Sequence, residues 1–469
     1  MSTSTDAPAR GDAAARLHRS IFRLHFYAGI VVAPFLLVLA LTGIVYLFDT
    51  EIDDALHPDW RFVSQPGASQ PVEQLVDAAL AAYPGATPTR IDLPTAPERT
   101  AVVFLTSADG EAFRVPVDPV SAAVRGRYTE AGSLVGAAGL LHGSLMLGDG
   151  GDRLVELVSC WAIVLILTGL HLWWPRGDHR LFGVWLPRLG RGRLFWRDLH
   201  AVAGVWGSML LLFLLLSGLP WASHWGGSLN RAMASVGLGY PAAYRTHVDH
   251  AQVASDPAAV VPLAATTPGI PWTLEQAPSP HSDHAGHSPS AATPISVGRA
   301  AEIYAGLGLR TAYRLSYPKD AHDVYTAYTY PARPQGQRTV HLDQYSGAVI
   351  NDVGFADYGR GAQLVELGVQ LHMGNYFGLP NQLLMLFASL TGALLAVSGP
   401  VMWLKRRRSG LGAPPPHPAA ATPWGLAALL LALGLLFPSL GLSLAAVLAT
   451  ERLLLRRIAP LRDWLGLVP

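Results

Sequence analysis

The sequence predicts an α-helical integral membrane protein. Four core transmembrane helices stand in two parallel repeats, followed by a C-terminal hydrophobic segment, and two small α+β modules occupy the long loops. Three observations predict this. Half of the 469 residues are hydrophobic and only 14% are charged, against about a quarter charged in a soluble domain. Four uncharged runs are each long enough to cross a hydrocarbon core of ~30 Å at about 1.5 Å per residue. The chain also writes one pattern twice: "LHFYAGIVVAPFLLVLALTGIVYLF" from Leu24 and "LHAVAGVWGSMLLLFLLLSGLPWAS" from Leu199.

The elements follow in order. Residues 1–24 are a basic N-terminus, and 25–48 the first span, too long for a cleaved signal core and read as an uncleaved helix. Residues 49–140 form the first module: a helix with apolar spacing over 70–82, then the strand-like AVVFLTS and EAFRVPVDP. Residues 141–174 are a His-bearing segment and the second span, 175–198 a basic loop, and 199–222 the third span. The second module fills 223–370, with a helix at 294–307, strands VYTAYTY and RTVHLDQYSGAVI, and a Pro-, Ser- and His-rich insert at 250–293 expected to be flexible. Residues 371–404 carry another His and the fourth span, and 405–423 a linker. The run 424–449 has Pro438 near its middle and is either one kinked span or a re-entrant hairpin; 450–469 is a tail.

Arg10, Arg16, Arg19 and Arg23 precede span 1. Arg176, Arg180, Arg188, Arg191, Arg193 and Arg197 fill the loop between spans 2 and 3. Lys405 to Arg408 follow span 4. All three sets fall on one side, which the positive-inside rule makes the cytoplasm. The expected location is a bacterial inner membrane, with the lipid bilayer as partner and the two modules in the periplasm. A net charge of +1 gives no reason to expect nucleic acid. The single cysteine, Cys160, rules out an internal disulfide, an iron–sulfur site and a CxxCH haem attachment.

The duplication covers the whole core. His25 and His200 are each followed by Gly at four residues (Gly29, Gly204) and by a hydroxyl–Gly pair at seventeen and eighteen (Thr42-Gly43, Ser217-Gly218). VPVDPVSAAV aligns with VHLDQYSGAV, and LLHGSLMLG with QLHMGNYFG. His142 and His372 each stand 27 residues before a second hydroxyl–Gly pair, Thr168-Gly169 and Ser398-Gly399. Two repeats in one orientation imply a pseudo-two-fold axis along the membrane normal. His25 with His200, and His142 with His372, are therefore expected to oppose each other across it.

Opposed imidazoles in a helix bundle suit a bis-His haem iron, with no sulfur required. Gly29 and Gly204, one turn along from the histidines, would leave room for a porphyrin edge. Arg19, Arg23 or Arg197 could neutralise its propionates. The plainer reading, interfacial histidines and packing glycines, suits any one of these positions but does not require the repeated spacing. His171, in TGLHLWW, aligns with Val401 and belongs to no symmetric pair; it could replace a ligand, meet a propionate or contact a quinone. His281, His284 and His287, in HSDHAGH, are weak candidates for a transition metal. No GxxxxGK[ST] or strand-anchored GxGxxG is present, so electrons are expected from a cytosolic reductase or a membrane quinol.

"HFYAGIVVAPFLLVLALTGIVYLF", the two helix-plus-strand units ending near VDP and LDQYSG, and "LHMGNYFGLPNQ" resemble the PepSY-associated transmembrane helix family over about residues 16–408. The resemblance implies two PepSY-like modules, two haem b groups per chain on His25/His200 and His142/His372, and electron flow outward. It also implies reduction of a ferric siderophore or other Fe(III) chelate, as in similar di-haem inner-membrane reductases. Two rival functions stand beside this: a membrane-anchored PepSY binding or inhibitory protein without redox activity, and electron transfer to another acceptor, such as copper held by HSDHAGH.

Overall fold

The computed structural model describes all residues except 1–6, 176–180, 246–260, 283–292, 408–409, 415–422 and 468–469. The chain divides into two compact units, 1–47 with 139–225 and 383–469, and 48–138 with 226–382.

The first unit is helical. Its long elements are α1 (Ala7–Leu47), α3 (Gly148–Trp173), α4 (Arg193–Gly218) and α7 (Leu379–Arg406), with α2 (Leu134–Ser144) leading into α3 and α7 beginning in the other unit. Among the described residues five helices are long and apolar enough to cross a membrane: these four and Pro438–Leu455. The four expected spans are all present; α1 and α4 run several residues into their basic flanks and α7 two, whereas α3 starts early at Gly148 and stops at Trp173, before its basic loop. Helix α1 packs on α3 and α3 on α4. Val32 and Leu39 of α1 are buried with Val158 and Ala162 of α3. Helices α4 and α7 meet through glycines: a Cβ at Gly207 would strike Thr391, and one at Gly392 would lie 3.3 Å from Leu211. Small residues permit such close approach where no hydrophobic effect drives helices together. Met209, Leu431, Leu435 and Leu442 are exposed, as lipid-facing side chains must be. The unit is that of a multi-pass membrane protein.

The C-terminal run breaks at Phe437 into α8 (Trp424–Leu436) and α9 (Pro438–Thr450). It is a hairpin rather than one kinked helix. The backbones touch, with a Cβ at Gly441 only 2.6 Å from the Gly434 carbonyl oxygen. Both ends return to the same place on α1: Arg23 donates to the carbonyls of Pro414, before the hairpin, and Gly466, after it, and Tyr27 donates to Leu465.

The second unit differs from expectation in two respects. The two loop segments do not form two sheets. Strands β1 (Thr87–Asp92), β2 (Ala101–Thr106) and β3 (Ala112–Val117) join β4 (Arg314–Ser316), β5 (Val324–Tyr328), β6 (Arg338–Asp343) and β7 (Val349–Gly354) in one antiparallel sheet of order β3-β2-β1-β4-β5-β6-β7. The seam is β1 against β4, with Ile91 opposite Leu315. The helices Val72–Ala82 and Val297–Gly306 contribute Leu75, Val76 and Ala79, and Val297, Ala300 and Tyr304, to a single core. Alternation in AVVFLT (Ala101, Val103, Leu105 buried) marks a sheet covered on one face there. Strand β5 is buried at every position, so its other face is covered as well. Part of that cover is the expected flexible insert. Residues 261–282 pack Leu263, Ile270, Leu274 and Ala277 with Tyr244, Val353 and Tyr358. Within 261–282 the expected flexibility gives way to packing, because the apolar residues among the prolines have a sheet face to bury against; 250–260 and 283–292 lie outside the described residues. His284 and His287 lie outside the described residues, as do Arg176, Arg180 and Arg408; His281 is half-buried.

Candidate metal centre

His25 lies in α1 and His200 in α4. Their ring centroids are 6.4 Å apart with planes at 89°. With a metal–nitrogen bond of about 2.0 Å and about 1.2 Å from nitrogen to ring centre, two imidazoles gripping one ion from opposite sides have centroids about 6.4 Å apart. The spacing fits a shared ion; His18 and His171 stand at the same 6.4 Å, so what singles out this pair is how its rings are held.

Each ring is held by its other nitrogen. The Nδ1 of His25 is 2.9 Å from Thr168 Oγ1 on α3, and that of His200 is 2.8 Å from Ser398 Oγ on α7. Both hydroxyls are buried. The proton of Thr168 is committed to the Val164 carbonyl at 2.7 Å, so Oγ1 accepts and His25 Nδ1–H donates. A ring whose Nδ1 carries the proton presents a bare Nε2 lone pair, the form a metal needs. The following glycine makes room: a Cβ at Gly169 would sit 3.2 Å from His25 Cε1, and one at Gly399 3.8 Å from His200 Cε1.

His142, in α2, repeats the arrangement on α1. Its Nδ1 donates to the Leu39 carbonyl at 2.9 Å and lies 3.3 Å from Thr42 Oγ1. A carbonyl only accepts, which fixes the tautomer. A Cβ at Gly43 would be 3.1 Å from its Cε1. Leu39 precedes Thr42 by three residues, so one turn of α1 carries both groups that His142 Nδ1 meets. His372 ends the helix Arg360–His372 of the second unit and is half-buried.

The remaining candidates are placed as follows. His171 lies beside His18 of α1, ring centroids 6.4 Å apart and planes at 39°. A methyl at Gly29 or Gly204 would meet Leu165 or Leu395 at an ordinary 3.9 or 3.7 Å, so the demand for a missing side chain is stronger at Gly43 and Gly169. Arg197 is paired with buried Asp198 at 2.6 Å, and Arg23 serves the C-terminal carbonyls, so neither is an uncommitted cation. The sequence shows the hydroxyl–Gly pairs as a repeat but not that Thr168, Ser398 and Thr42 lie against His25, His200 and His142. The signal was there in their fixed distance from each His; its meaning needed knowledge of which helices lie side by side.

Among the described residues no three His, Cys, Asp or Glu side chains gather closely enough to hold a metal ion. A haem, were one held there, would need only the two ring nitrogens of His25 and His200 from the chain. The donor set and the spacing fit haem, as does the tautomer of His25.

No curated protein matches the chain at a significant level. The family model described as PepSY-associated TM region matches residues 22–406. That is most of the chain, from just before His25 to the end of α7, and the protein belongs to the PepSY-associated transmembrane family.

Proposed function

We propose that this protein is an inner-membrane di-haem b oxidoreductase that carries electrons from the cytoplasmic side to the periplasm and reduces a ferric siderophore or other Fe(III) chelate. The observation that carries the reading is the His25–His200 pair at 6.4 Å, each Nδ1 held by a hydroxyl of a repeat-related helix. His142 and His372 would be the ligands of the second haem; support comes from their place in the sequence repeat and from the shell that Leu39, Thr42 and Gly43 build around His142.

Bound haem supplies one-electron exchange between ferric and ferrous iron. The chain's own residues do the rest. His25 and His200 bind and centre the group. Thr168 and Ser398 orient the two rings, and Gly169 lets His25 lie against α3. In this reading α1, α3, α4 and α7 are the four-helix core of two parallel repeats, and the sheet unit, built from two PepSY-like halves, offers the surface where the chelate docks. Reduction labilises the chelate because Fe(II) favours softer donors than the hard oxygens that hold Fe(III). The electron donor is a cytosolic reductase or a membrane quinol.

The test is an absorption spectrum of the purified full-length protein, oxidised and dithionite-reduced, with haem counted per chain. Two non-covalent b-type haems, fully extracted by acidic organic solvent, are expected. A colourless preparation after expression with ample haem would end the reading.

A further inference from the structure

We propose that Thr168 and Ser398 are positioning residues that hold the two inner ligand rings perpendicular, and so set the spectroscopic class and the potential of the inner haem. The inference rests on the haem reading above and concerns what the protein does to the group once it is bound.

An imidazole bound through Nε2 turns readily about its metal–nitrogen bond. What stops it is the acceptor that Nδ1–H reaches. Here the two acceptors stand on different helices, Thr168 on α3 and Ser398 on α7, so each ring takes its angle from its own helix. The result is 89° between the planes. Both hydroxyls are buried, Thr168 at 2% and Ser398 at 0% exposure, so water does not compete for the ring. The two shells are unequal. Thr168 passes its own proton to Val164 at 2.7 Å, whereas the nearest carbonyl to Ser398 Oγ, that of Leu395, is at 3.4 Å. The hold on His25 is the firmer one.

Ring angle matters because an imidazole donates π density into one iron d orbital, the one perpendicular to its plane. Parallel rings feed the same orbital and split the pair widely. Perpendicular rings feed one each and leave the pair nearly degenerate. A low-spin ferric haem of the second kind shows a single, strongly anisotropic EPR feature at large g; the first kind shows a rhombic spectrum. The hydrogen bond from Nδ1 has a second effect. It makes the ligand a stronger donor, which favours ferric iron and lowers the potential.

The experiment uses EPR and redox titration of the haem-loaded full-length protein, with His142→Ala isolating the inner haem. A large-g signal is expected. Thr168→Val keeps the side chain's shape and removes the hydroxyl that His25 Nδ1–H reaches. It should keep the haem, move the signal toward rhombic, and favour the ferrous form roughly tenfold, about 59 mV upward for one electron. Thr168→Ser should restore both. Should Thr168→Val fail to retain haem, Ser398→Ala reads the other ring by the same two measures. A rhombic wild-type inner haem, or hydroxyl-less variants with unchanged spectrum and potential, would overturn the proposal while leaving the haem assignment intact. Absence of any low-spin haem would overturn the assignment itself.

Discussion

A single residue, His171, shows what pairing in space adds to spacing in sequence. Its position in TGLHLWW admitted it as a ligand, yet it lies beside His18, while His25 stands opposite His200. In the proposed assignment, where Thr168 and Ser398 hold His25 and His200, His171→Ala should leave both haems bound. His25→Ala and His200→Ala should each remove one and the same haem, and His142→Ala and His372→Ala the other, read as haem per chain and as loss of one component in a redox titration. Loss of the inner haem in His171→Ala with retention in His25→Ala would reverse the assignment. A second residue, Glu275, titrates where it matters. Burial, then the nearby Glu366, pushes its carboxyl up to about 7, above an ordinary value near 4.3 in the unfolded chain. Between about pH 4.5 and 7 the folded state thus binds more protons than the unfolded, and stability falls as pH rises. Glu275→Gln should flatten that part of the profile and raise the melting temperature relative to wild type at pH 7.5 more than at pH 5. An equal gain at both pH values would show that the carboxyl does not titrate there.

At the scale of elements, the two halves of the sheet end in one turn built twice. Asp118 Oδ1 accepts from the backbone of Val120 and Ser121, and Asp343 Oδ1 from Tyr345 and Ser346. Ala122 N–H closes on the Asp118 carbonyl as Gly347 N–H closes on that of Asp343. Both positions need positive φ, 57° at Ala122 and 71° at Gly347. A left-handed alanine costs about 1–2 kcal/mol and glycine gives back part of that as chain entropy. Ala122→Gly should stabilise by up to about 1 kcal/mol, and Gly347→Ala should destabilise by roughly 1–2 kcal/mol, its Cβ also meeting Ile303 at 2.6 Å. Slower amide exchange around 118–123 in the first variant and faster exchange around 343–348 in the second would bear this out; opposite signs would not. The alignment of VPVDPVSAAV with VHLDQYSGAV made this equivalence legible, as apolar periodicity made the helices legible. The joining of β1 to β4 was not, because strand pairing over more than 200 residues leaves no local trace. The fold of 261–282 was hidden for a related reason: its burial depends on a partner surface, not on its own composition. In the site, the histidines were visible as a repeat, but Thr42, Thr168 and Ser398 gained their meaning only from helix neighbours.

At the scale of the whole molecule, the proposed activity has a direction that follows from chain order. The inner pair begins α1 and α4 beside the Arg-rich segments. In the proposed reading the sheet unit, formed from the loops between spans, faces the periplasm, as the positive-inside rule predicts. In that reading electrons leave at the sheet unit rather than enter there. Protein reduced beforehand in proteoliposomes, sheet unit outward, should be reoxidised by a membrane-impermeant ferric hydroxamate, each turnover moving one electron from the protein to Fe(III) and releasing Fe(II) to an external ferrous chelator. His372→Ala should slow this strongly while the inner haem stays reduced. The C-terminal hairpin lies beyond the family match and is docked by its own polar contacts, Ser439 to buried Glu156 and Trp161 to Ser443. Ser439→Ala, which loosens the hairpin alone, should therefore lower stability without altering the reoxidation rate. If the reduced protein ignores ferric chelates yet is oxidised quickly by Cu(II), the direction stands and the acceptor is copper. If the oxidant acts only from the Arg-rich side, the direction itself is wrong.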